Sequence, residues 1–99
     1  QSVELKEPDH GRLLKILERV ARVRYPRTDI TKKAIAETAR LAALCAPERS
    51  EPARSLELLH YEVSAAQINL PPEEYAAKIT EEDARRAAAL KMDGYQERD

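Results

Sequence analysis

The chain has 99 residues and a mass of 11.2 kDa, room for one compact domain that buries about 65% of its unfolded surface. Its 17 Lys and Arg against 18 Asp and Glu leave a net charge of -1, which removes any global pull toward nucleic acid or anionic lipid. Phe and Trp are absent and the 4% aromatic content is all Tyr, which argues against a large stacking platform for single-stranded nucleic acid.

Cys45 has no partner for an internal disulfide, which argues against a stapled secreted scaffold and for a reducing, cytoplasmic setting. No apolar run reaches the roughly 20 residues of a membrane span, and the mean hydropathy is -0.64. Residues 1–12 read as a polar leader without the apolar stretch of a signal peptide. A start at Gln rather than Met suggests a piece of something longer.

Ala, Leu, Glu, Lys and Arg dominate, and these residues lose little on entering a helix. Over residues 11–24, Leu13, Leu14, Ile16, Leu17, Val20, Ala21 and Val23 recur at helical spacing, and Pro26 stops the run. Thr31 then offers a capping oxygen to a second helix, whose apolar face is Ile35, Ala39, Ala42 and Ala43 and whose end lies near Pro47. A third helix follows Pro52, capped by Ser50 or Glu51. It carries Leu56, Leu58, Leu59, Val63, Ala66 and Ile68, and it stops before Pro71-Pro72. The fourth, predicted over residues 80–92, opens with Thr80-Glu81-Glu82-Asp83, acids at the positive end of the helix dipole. Gly94 supplies a natural terminator.

Asp29-Ile30-Thr31 and Lys78-Ile79-Thr80 echo each other, an extended Ile before a capping Thr and a helix. The pattern predicts that Ile30 and Ile79 sit in two short strands lying side by side. The expected fold class is therefore mostly α, about four helices with a short two-stranded β pairing.

Chemistry is sparse. A phosphate loop of the GxxxxGK[ST] kind is absent. Cys45 and His60 could in principle form a nucleophile and base, but Cys45 lies in an Ala/Leu-rich helix end and reads as a small buried hydrophobe. His60 with Glu57 or Glu62 lacks the further His or Cys of a metal site. Arg19, Arg22, Arg24 and Arg27, like Arg85 and Arg86, read as solvated faces. Arg54 stands apart, in the first turn of a helix just after Pro52, where a guanidinium can offer its fork to phosphate oxygens. From spacing alone a structural ion pair is the better reading.

Taken together the residues resemble a family. Leu14-Lys15-Ile16-Leu17, then Ile30-Thr31-Lys32-Lys33-Ala34-Ile35, Leu41, Arg49, Pro52 and Ser55-Leu56-Glu57-Leu58-Leu59, look like the lid subdomain of a Clp-type AAA+ ATPase. The first ATPase module of two-module chaperones is the nearer likeness. Ile79-Thr80-Glu81-Glu82-Asp83-Ala84 and Gly94 resemble the same lid's closing segment. The likeness implies a small helical lid over residues 13–94, with 95–99 a tail. Pro52-Ala53-Arg54 also resembles the G-A-R of sensor-2 motifs, with Pro for Gly. The family's R-Y-I falls on Leu44, Cys45 and Ala46.

What the resemblance implies is a nucleotide-responsive lid. Arg54 would sense the terminal phosphate, and Ile16 and Leu17 would face the adenine. ATP or ADP with Mg would be held mainly by a large domain carrying the catalytic motifs, so this stretch would not be an enzyme by itself. Partners would be that domain in cis, neighbouring subunits of a ring and protein substrates, with neither nucleic acid nor membrane. In the parent, hydrolysis would drive protein unfolding or disaggregation. The alternative is a stand-alone helical adaptor docking a protein through an exposed Ala/Leu face. A helix-turn-helix DNA binder is disfavoured, because no helix reads as a basic recognition helix.

Overall fold

The computed structural model describes residues 7–68, 70–74 and 78–97. They run α1 (His10–Arg24), β1 (Asp29–Ile30), α2 (Lys32–Cys45), α3 (Ala53–Gln67), a 3-10 turn (Pro72–Glu74), β2 (Lys78–Ile79) and α4 (Glu81–Glu97). Of the expected leader, residues 1–6 lie outside the described part, as do residues 98–99 of the expected tail.

Each helix start has a local cause. Asp9 accepts the Arg12 N–H at 2.8 Å, which sets the first residue of α1 at His10. Thr31 accepts the Ala34 N–H at 3.0 Å and starts α2. At α4 the roles shift toward the acid: Asp83 Oδ2 accepts from both the Thr80 N–H, at 2.8 Å, and the Thr80 hydroxyl, at 3.1 Å. This is the reaching-back half of a capping box. Pro52 occupies the position just before α3, and having no side-chain acceptor it cannot cap. Glu51 does so instead, its Oε1 accepting the Ser55 N–H at 3.1 Å.

β1 and β2 pair in parallel, Asp29 opposite Lys78 and Ile30 opposite Ile79. The ladder continues one step further, where the Thr31 N–H donates to the Ile79 carbonyl at 3.1 Å. The pairing ties the entrance of α2 to the entrance of α4, and these two helices make the most extensive contact in the fold. One core cluster joins Leu13, Leu17 and Ala21 of α1 to Ile35 and Ala39 of α2 and Leu59 of α3. A second joins Ala42, Leu58 and Ala88, with Leu41 and Cys45 packed against it.

Three expectations are corrected. Ile68 does not join the apolar face of α3; it lies past the helix and is 77% exposed. Val23 is likewise outside the core at 73% exposed, because the face of α1 that packs inward is the Leu13–Leu17–Ala21 row. Gly94 does not terminate α4. No glycine among the described residues has the positive φ of a C-terminal cap, and the helix runs through to Glu97.

Candidate functional site

Arg54 sits in the first turn of α3, where the chain has just left the tight 47–52 connection. Its Nη1 donates to the Arg49 carbonyl at 2.7 Å, and its Nε lies 2.9 Å from Glu51 Oε2. The Nε–H is not aimed at that oxygen, so it is enclosed without a hydrogen-bond acceptor. Glu51 in turn accepts the Ser55 hydroxyl at 2.8 Å, and its own N–H donates to Glu7 Oε1 at 2.6 Å. The segment before α1 is therefore folded back onto the start of α3.

That fold-back creates a groove of about 510 Å³ in which Arg54 and Glu51 meet Glu7, Pro8, His10 and Leu13 from the start of α1, with Arg40 and Leu44 of α2 along its far wall. The sequence-predicted residues divide here. Arg54 lines the groove. Ile16 is half-buried elsewhere on α1, and Leu17, with 0% of its surface exposed, is a core side chain with no area to offer a ligand. The apolar side chain of α1 that borders the Arg54 groove is Leu13, one turn before Leu17 and itself only 5% exposed.

On the other side of the α2 terminus lies a second groove, of about 340 Å³, lined by Cys45, Arg49, Glu57, Leu58, Lys91 and Met92 among others, and reached by Arg54 as well. Its charges are mutually engaged. Glu57 pairs with Arg49, and Lys91 approaches the same carboxylate at 3.4 Å while standing 5.7 Å over the Tyr61 ring. Burial pushes the Cys45 thiol up from its usual range, the reverse of an activated nucleophile. His60 is turned to a different partner, its Nδ1 3.0 Å from the Tyr25 hydroxyl.

The arginine pair of α4 is also engaged, Arg85 with Glu37 at 2.8 Å and Arg86 with Asp83 at 3.3 Å. Arg40, hydrogen-bonded to the same Glu37, together with Arg85 draws its carboxyl down to about 2. Arg19, Arg22, Arg24 and Arg27 are exposed.

Sequence reasoning weighed Glu62 only beside His60 and missed its burial. It is 1% exposed in the middle of α3, and burial, reinforced by Asp83, pushes its carboxyl up to about 7. No spacing rule marks it, because its partner Thr38 lies 24 positions away.

Among the described residues no three His, Cys, Asp or Glu side chains gather as a metal site, and no helix is long and apolar enough to cross a membrane. Comparison with family models, with curated proteins and with solved structures returns no match to this chain.

Proposed function

We propose that this chain is the helical lid of a Clp-type AAA+ ATPase, a nucleotide-responsive element whose ATPase core lies in a separate large domain. The observation that carries the reading is the groove in which Arg54, at the start of α3, faces the start of α1. The motif order quoted above and the parallel pairing that leads from two Ile-Thr steps into α2 and α4 support it further.

The residues fit a nucleotide's edge. Arg54 is held at the groove by Arg49 and Glu51 and keeps 18% of its side chain exposed, so a phosphate oxygen would meet the outer edge of the guanidinium and not the enclosed Nε–H. Leu13 borders the same groove with 5% of its surface exposed, while Leu17 is fully enclosed. Bound ATP with Mg would supply the energy of phosphoryl transfer, through catalytic groups on the large domain. The lid's part is to make different contacts with the two nucleotide states, because only a difference in affinity shifts lid against core. Relayed around a ring, that rotation would move a protein substrate.

The test is ATP turnover in the polypeptide that carries this chain with its ATPase core. Arg54→Ala lowers turnover tenfold or more, or uncouples it from substrate remodelling, while the fold of the lid persists. Unchanged kinetics removes Arg54 from the site. A second reading, a helical adaptor, draws on Leu44, Leu90 and Met92, which stand exposed on α2 and α4. It gains if the isolated chain captures a protein partner with no dependence on nucleotide.

A further inference from the structure

Among the described residues Glu62 is the one acid inside the core, and the geometry around it determines where its proton must be. Glu62 Oε2 lies 2.6 Å from Thr38 Oγ1, and the same Oγ1 lies 2.7 Å from the Ala34 carbonyl oxygen. Thr38 is itself wholly buried. A hydroxyl has one hydrogen to give. If Thr38 gave it to an ionised Glu62, Oγ1 and the Ala34 oxygen would face each other lone pair to lone pair at bonding distance. If Glu62 holds a proton, it donates to Thr38, Thr38 donates to Ala34, and both short contacts are satisfied.

The other carboxyl oxygen gives an independent reason. Glu62 Oε1 is buried with no hydrogen-bond partner. An unpartnered oxygen is tolerable on a neutral acid and costly on a carboxylate. The surroundings offer no compensating charge. From α4 the facing group is Asp83, also acidic, already engaged by Thr80 and Arg86. The nearby cations serve other acids, Arg40 and Arg85 at Glu37 and Lys91 at Glu57. Lys78 of β2 is exposed.

We propose that Glu62 is a proton-held latch of the α2–α3–α4 junction: protonated, it fastens α3 to α2 through Thr38, and ionised, it stands unpaired opposite Asp83 and loosens the start of α4 with the β1–β2 pair. The latch is independent of the nucleotide reading, since Glu62 lines neither groove described above.

The sign of the pH dependence follows from linkage. The unfolded chain releases this proton near pH 4.5 and the folded chain near 7. Between the two the folded state holds the extra proton, so stability falls as pH rises, by up to about tenfold in the folding constant per pH unit. Above 7 the loss levels off.

Two measurements test it on the unaltered chain. The carboxyl carbon of Glu62, followed by carbon-13 NMR, titrates near pH 7. Amide exchange in the first turns of α4, corrected for intrinsic base catalysis, is several-fold and up to about tenfold less protected at pH 8 than at pH 6, and Glu62→Gln removes that difference. A Glu62 that titrates below pH 5 overturns the proposal, as does protection that is unchanged with pH or that falls equally in Glu62→Gln. The carboxyl titration needs no variant, so it decides the matter on its own where Glu62→Gln does not fold.

Discussion

Ile30 and Ile79 stand directly opposite each other in a parallel pairing only two residues long. A ladder that short contributes little by itself. Its value is positional: each Ile is followed by the Thr that begins a helix, so the pairing fixes the entrances of α2 and α4 side by side. The two side chains are not equivalent, because Ile79 is 1% exposed while Ile30 is only partly covered by the α1–α2–α3 cluster.

That asymmetry predicts unequal losses. Ile79→Ala removes a fully enclosed side chain and costs about 2–5 kcal/mol of folding free energy. Ile30→Ala costs about half as much, since part of its surface already meets water. Urea denaturation of the two variants checks the order. Equal losses would mean that the backbone pairing rather than side-chain burial holds the two helix entrances together.

Glu51 predicts a structural role that can be separated from nucleotide sensing. It serves α3 as the missing cap and holds Arg54 from the side. Glu51→Ala therefore lowers stability by about 1–2 kcal/mol, as expected for the loss of partly enclosed charged hydrogen bonds. Arg54→Ala costs less, because Ser55 continues to occupy both oxygens of Glu51. Thermal unfolding of the isolated chain, with its midpoints compared, tests this ranking.

Cys45 predicts sluggish chemistry. Its thiol is half-buried against Ala42, Leu58 and Ala88, and that burial pushes it up from its usual range, leaving less thiolate than an exposed cysteine has. Iodoacetamide at pH 7 therefore modifies the folded chain more slowly than the urea-unfolded one, and the ratio falls as pH rises. Equal rates would show that the α2 terminus opens freely.

What could be read from the sequence was whatever is decided within a few residues. Thr31 before an Ala-rich run and the pairing of Ile30 with Ile79 carry their structure in local spacing and form as expected, whereas Thr80, expected to cap α4, donates to Asp83. Arg54 emerged as a first-turn guanidinium for the same reason. The other misses are tertiary. Gly94 permits a helix to end but does not require it, so the packing of α4 decides. Which of Leu13, Ile16 and Leu17 meets solvent depends on how α1 is rotated against α2 and α3, and helical periodicity does not set that rotation. Glu62 is enclosed because α2 delivers a hydroxyl to it from far along the chain.

Glu37 predicts an acid limb opposite in sign to the latch at Glu62. It bridges α2 to α4, receiving both Arg40 and Arg85. With its folded-state carboxyl drawn down to about 2 from 4.5, the unfolded chain takes up a proton first as the solution is acidified. The stability due to Glu37 is thus fully present above pH 4.5 and is lost as pH falls toward 2. Both arginines are more than half exposed, so screening by water and salt limits the contribution to about 1 kcal/mol at pH 7. Glu37→Gln loses that amount at neutral pH, and its unfolding midpoint declines less steeply than the parent's between pH 4.5 and 2. Added salt narrows the gap between the two chains. Thermal unfolding followed by circular dichroism across that window checks the prediction, and parallel acid limbs for parent and Glu37→Gln would show that the bridge contributes nothing to joining α2 and α4.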